Sequence, residues 1–82
     1  MNEKQIKRHF EDHGLKIADV AVEMQAAFPS ISLGSADVML RQLISGQRWY
    51  PVYATWLETT YGVKVDRPKW TPVRERMRRQ AA

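Results

Sequence analysis

In the stretch SADVMLRQLIS, residues 35–45, Val38, Arg41, Gln42 and Ser45 follow one another at three-, one- and three-residue steps. On a helix that spacing gathers them on one stripe, because residues three and four apart share a face. Arginine and glutamine are side-chain types that read base edges in a DNA major groove. Arg41 can fork onto guanine O6 and N7, Gln42 can pair with adenine N6 and N7, and Val38 can meet a thymine methyl. Ser35 and Ser45 reach bases or phosphate near the two ends, and the amides at a helix start favour a phosphate oxygen. Asp37 has three readings: it caps its own helix, pairs with Arg41 four residues on, or accepts from cytosine N4. Plain solvation also produces a polar stripe on an amphipathic helix, so the stripe alone does not separate a base reader from a wet surface.

Other chemistry is sparse. His9 and His13 stand one helical turn apart, a spacing that zinc sites use, with Asp12 or Glu11 as the nearest third donor. Two ligands are not a site, so no metal is expected. No nucleophile, base and orienting group can be assembled, and there is no glycine-rich phosphate loop. At 82 residues the chain is also short for a substrate-enclosing cleft. The expectation is a non-enzyme with no cofactor and no small-molecule substrate. With no cysteine, stability must come from packing, which suits a cytoplasmic protein. No apolar run approaches the roughly 20 residues that span a bilayer, and MNEKQIKRHF has no apolar stretch of the signal-peptide kind. A soluble protein without a membrane partner is expected.

The formal net charge is +4, and its distribution is uneven. Through Val63 there are six Lys/Arg against seven Asp/Glu, whereas residues 64–82 hold seven against two. A nearly neutral body therefore carries a basic tail. Arg74 and Arg78, with their neighbours Arg76 and Arg79 and with Lys64, Arg67 and Lys69, could supply the counterion-release part of nucleic-acid affinity. They would lie along the backbone or enter a minor groove. The same arginines could equally be a solubilising end, and their thin apolar face argues against a membrane surface.

These residues need helices to position them. Asn2 caps a first helix over 3–13, with Ile6 and Phe10 one turn apart and Gly14 as its left-handed stop. Ile17, Val20, Ala21, Met24 and Phe28 step by three and four, giving a second helix over 17–27 that Pro29 ends. FPSISLG reads as a connector, with Ile31 and Leu33 pinning it to the core as an extended strap. Ser35 is taken as the N-cap of a third helix that runs to Ser45 and stops at Gly46. Pro51 opens a fourth helix to Tyr61, with Tyr53, Trp56, Leu57 and Tyr61 on its apolar side and Gly62 as the stop. KVDRPKW reads as extended, held by Val65 and Trp70, and TPVRERMRRQ as a short fifth helix. The fold class is all-α, a small four- to five-helix bundle, with a domain over 1–63 and a basic, partly helical extension over 64–82.

GLKIADVAVEM, GSADVMLRQLISGQRWYP and WLETTYGV together resemble the helix-turn-helix domain of phage repressors, Cro proteins and related bacterial transcriptional regulators. Gly14-Leu15, Ala21, Gly46 with Gln47-Arg48, and Gly62-Val63 match that family in order and spacing, with Tyr61 in place of the usual leucine. The likeness covers about residues 6–63. It departs at the turn, which is about three residues in the family and here reads as lengthened by QAAFPSISL.

The resemblance implies a lambda-repressor-like bundle that binds double-stranded DNA with the helix over 35–45 in the major groove. Val38, Arg41, Gln42 and Ser45 would then read bases. Lys16, Ser35, Gln47 and Arg48 would grip the backbone, joined by Arg74 and Arg78 of the tail. It also implies a homodimer, since one recognition helix covers few base pairs. Candidate faces for that pairing are the fourth helix and Trp49, Tyr50, Trp56 and Trp70. Two other readings stay open: a protein-interaction adaptor on the same scaffold, and a single-stranded nucleic-acid or RNA binder using the tryptophans and the arginine tail.

Overall fold

Asn2 opens the first helix, α1 (Glu3–Asp12), with its side chain accepting from the Gln5 amide at 2.9 Å while the Gln5 side chain accepts from the Asn2 amide at 2.9 Å. This reciprocal box satisfies two amides that the first helical turn leaves without partners. Gly14, at φ 67°, turns the chain away after His13. The computed structural model describes residues 1–67, and among them are four helices and no strand. The expected fifth helix and Trp70 lie outside the described residues.

The second helix, α2 (Ile17–Ala27), starts at Lys16, whose amide donates to the Asp19 carboxylate at 3.1 Å. Its end is built differently from a simple proline stop. Phe28-Pro29-Ser30-Ile31 forms a β-turn, closed by the Ile31 amide on the Phe28 carbonyl at 3.1 Å, with proline at the second position where its fixed φ is an advantage.

Ser32 then caps the third helix, α3 (Leu33–Ser45), by accepting from the Ser35 amide at 3.1 Å. The expected cap at Ser35 is thus corrected: Ser35 is already inside the helix, and its amide satisfies the true cap. The helix begins about one turn early because Ser32 follows a turn that leaves its backbone extended, which is what a cap requires. One of two expectations about the connector changes with it. Leu33 is not part of a buried strap but a helical residue 51% exposed, while Ile31 does pack against the core. The connector is five residues, Phe28 to Ser32, because Gln25, Ala26 and Ala27 belong to α2 and Leu33 to α3.

A left-handed Gly46 at φ 81° ends α3, with the Gln47 amide on the Gln42 carbonyl at 3.0 Å and the Gly46 amide on Leu43 at 3.3 Å. This is the Schellman arrangement. The fourth helix, α4 (Pro51–Tyr61), carries proline at its first position and ends at Gly62, φ 69°.

Inside, Ile6 and Phe10 of α1, Val20, Ala21 and Met24 of α2, Ala36, Leu40, Leu43 and Ile44 of α3, and Ala54 and Leu57 of α4 form one core. The largest helix–helix contact is between α2 and α3. Each carries a fully buried alanine, Ala21 and Ala36, and small side chains let helix backbones approach closely. Val63 and Val65 close the core from beyond α4. The segment that holds them runs beside the chain start, with the Asp66 amide on the Met1 carbonyl at 3.0 Å. Among the described residues no polar or charged side chain is buried.

Candidate nucleic-acid interface

One side of α3 is wholly committed to the core through Ala36, Leu40, Leu43 and Ile44. The opposite side follows from helical periodicity: Val38, 52% exposed, with Arg41, Gln42 and Ser45. All four line a half-open groove of about 400 Å³, together with Glu3 and Lys7 of α1, Ile17 at the start of α2, Ile44 and Gln47. Val38 and Gln42 are also on the rim of a second groove, with Ser30, Ser32, Ser35, Arg48 and Tyr50. They form a ridge between two furrows, and the four residues expected from sequence to read bases, Val38, Arg41, Gln42 and Ser45, lie along it.

Four of the remaining candidates, Lys16, Ser35, Gln47 and Arg48, fall nearby. Lys16 is exposed and lines a neighbouring depression that shares Lys7 and Ile17 with the first groove. Gln47 sits in the first groove, and Ser35 and Arg48 in the second. Arg74 and Arg78 lie outside the described residues. The amides of Gln47 and Arg48 both donate to the Gln42 carbonyl, at 3.0 and 3.3 Å, so the turn after α3 is held against the ridge.

Electrostatically the ridge is balanced. Arg41 Nε donates to both carboxylate oxygens of Asp37 at 3.1 and 3.2 Å, which settles the reading of Asp37 for the free protein. Lys7 pairs with Glu3 at 3.1 Å on the facing wall. Both are exposed i,i+4 pairs, a class that contributes about 0.3–0.5 kcal/mol, so a competing phosphate or base can draw either cation away at small cost. The Asp37 contacts use Nε, not the terminal nitrogens that fork onto guanine.

Two features escaped the sequence reading. Glu3, Lys7 and Ile17 form the far wall of the groove, and nothing in their local pattern announces that α1 faces α3 there. Tyr50 donates its hydroxyl to Gln42 Oε1 at 2.7 Å. An eight-residue separation across the Gly46 turn belongs to no helical or strand periodicity, so no local rule marks this pair.

An aromatic chain runs along α4. Phe28 meets Tyr53 edge-on at 4.9 Å and Trp56 at 6.2 Å, Trp56 meets Tyr61 at 5.5 Å, and Tyr61 meets Phe10 at 5.6 Å. Burial, together with a hydrogen bond to the Glu23 carboxylate and its negative charge, pushes the Tyr61 phenol up. His9 Nε2 lies 3.1 Å from the Tyr61 carbonyl and His13 Nδ1 2.8 Å from the His9 carbonyl. The two histidines thus tie α1 to the end of α4 and to its own backbone. Among the described residues no group of three metal-ligating side chains comes together, and no helix is long and apolar enough to cross a membrane.

No family model, curated protein or solved structure matches this chain. Its function is therefore read from the chemistry of the ridge.

Proposed function

We propose that the chain is a sequence-specific, double-stranded DNA-binding transcriptional regulator of the phage-repressor and Cro kind, with α2, the Phe28–Ser32 turn and α3 as its helix-turn-helix. The observation that carries this reading is the ridge of Val38, Arg41 and Ser45, exposed, with the half-buried Gln42, on a helix anchored on its opposite side by Ala36, Leu40, Leu43 and Ile44. A major groove admits one such helix, and a rigid, capped helix delivers side chains to base edges with little ordering cost. Lys16, Ser35, Gln47 and Arg48 flank the ridge where phosphates would run, and position without specifying. The five-residue turn is longer than the family's, yet α3 is placed by core packing and not by turn length.

Binding as a homodimer on an inverted repeat would supply the specificity one ridge lacks, and regulation would follow from promoter occlusion or recruitment. The tail supports affinity: residues 68–82 hold five Lys/Arg against one Glu, where the ridge and its facing wall pair their charges.

The test is selection of randomised duplexes on the purified protein at about physiological salt, where non-specific electrostatic binding is weak. An enriched inverted repeat that Arg41→Ala or Gln42→Ala loses supports the reading. No enriched motif, or one that survives both substitutions, overturns it. The half-exposed rings of Tyr53, Trp56 and Tyr61 favour one rival, an adaptor that binds a protein partner through α4. That rival requires a Trp56 substitution to abolish function while Arg41→Ala and Gln42→Ala leave it intact.

A further inference from the structure

The Tyr50–Gln42 hydrogen bond constrains what Gln42 can present. A primary amide has an accepting oxygen and a donating nitrogen, and pairing with adenine N6 and N7 uses both. Here the Gln42 oxygen already receives the Tyr50 hydroxyl proton at 2.7 Å. Tyr50 itself is held by its ring, half-buried against the core and 5.8 Å from Tyr53, and it enters α4 directly before Pro51. Tyr50 lines the second groove together with Gln42, Met39 and Arg48.

We infer that Tyr50 is a specificity-determining positioning residue: by holding Gln42 Oε1 it turns the amide's two N–H donors toward the DNA, so that Gln42 selects guanine over adenine. Guanine offers two acceptors, O6 and N7, to such a donor pair. Adenine offers one acceptor, and its N6 amino group would meet the amide nitrogen donor to donor. Reaching adenine in the usual way would need the same oxygen, held toward Tyr50, to aim its second lone pair at the adenine N6 amino group. This inference rests on the DNA-binding reading above, and it reverses the base that glutamine alone would suggest.

The experiment repeats the duplex selection in parallel on the full-length wild type, Gln42→Ala, Tyr50→Phe and Gln42→Glu, with each variant's fold checked by circular dichroism and urea unfolding. Gln42→Ala locates the base pair that Gln42 reads. Tyr50→Phe keeps the ring and removes only the hydroxyl. Gln42→Glu keeps the contact with Tyr50 but presents an acceptor, and it serves should Tyr50→Phe fail to fold.

The expected result is guanine at that position in the wild type by about tenfold, the scale of one good base contact. Tyr50→Phe then moves the preference to adenine or levels it, with the rest of the motif unchanged, and Gln42→Glu moves it toward cytosine, whose N4 donates. A simple loss of packing would weaken binding to every sequence alike and would not move one base. A wild-type preference for adenine, or the same guanine preference in Tyr50→Phe, overturns the role of Tyr50 while leaving the DNA reading in place. A motif with no position sensitive to Gln42→Ala overturns it too. No motif at all overturns the DNA reading, and this inference falls with it.

Discussion

Arg41 gives its Nε to Asp37 in the free protein, with the Arg41 side chain 59% and that of Asp37 37% exposed. Asp37→Asn is expected to lower stability by no more than about 0.5 kcal/mol in urea unfolding, the ordinary worth of an exposed i,i+4 pair. On the DNA reading it also raises binding to duplex of any sequence at low salt, since a carboxylate leaves a face that meets phosphates. A stability loss beyond about 1 kcal/mol would mean the pair is screened less than its exposure implies. Tyr61 makes a separate, pH-dependent contribution. Its folded phenol holds its proton more tightly than the unfolded one, whose ordinary pKa is 10.0. The stability gained is therefore complete below pH 10 and is lost as the pH rises from there toward the higher folded value. Comparing wild type with Tyr61→Phe in urea from pH 7 to 11 checks this: the wild-type advantage should shrink only at the alkaline end.

At the scale of elements, the start of α3 decides where the ridge stands. Ser32 accepts the Ser35 amide, so Ser32→Ala should cost about 1 kcal/mol, the usual loss for an N-cap hydroxyl. Ser35→Ala removes an exposed hydroxyl that accepts from the Ser32 hydroxyl at 3.0 Å but leaves the capped Ser35 amide in place, and should change stability by less than about half that. Equal effects would mean that the helix starts elsewhere. The other end is set by Gly46. A methyl added there meets nothing within 4 Å, so the cost of Gly46→Ala is purely that of holding φ at 81° without glycine, about 1–2 kcal/mol. On the DNA reading the same change also weakens duplex binding, because the amides of Gln47 and Arg48 are docked on Gln42 through that turn.

At the scale of the molecule, a single apolar core holds all four helices, and Met24 sits in it fully buried. Met24→Ala is expected to cost about 2–5 kcal/mol through reduced burial and the cavity left behind. For a domain of this size that is a large part of the total, and the midpoint of urea unfolding should fall accordingly. The described body, residues 1–67, holds eight Lys/Arg and eight Asp/Glu, so on the proposed DNA reading long-range attraction is assigned to the basic residues beyond it. Ending the chain after Arg67 should leave folding unchanged and flatten the dependence of log affinity on log salt by about 0.9 for each phosphate the tail no longer neutralises. An unchanged slope would remove the tail from the interface.

The four helices and their stops are legible in the sequence because their causes are local. Asn2 three residues before Gln5, Pro51 at a first turn, and glycines at 14, 46 and 62 act through neighbouring backbone, and apolar steps of three and four name the buried side of each helix. The stripe Val38, Arg41, Gln42 and Ser45 is legible for the same reason: once Leu40 and Leu43 face inward, periodicity leaves those four outside. The start of α3 is not legible in this way, because Ser32 and Ser35 are both fit to cap. The β-turn after Phe28 decides between them by leaving Ser32 extended. What only tertiary structure decides is which distant groups meet that stripe. Glu3 and Lys7 come to it because α1 packs into the common core, and Tyr50 reaches Gln42 because Gly46 reverses the chain and α4 anchors the ring. Such meetings depend on the packing of whole helices, a sum over many weak apolar interactions, and no spacing along one chain segment encodes them.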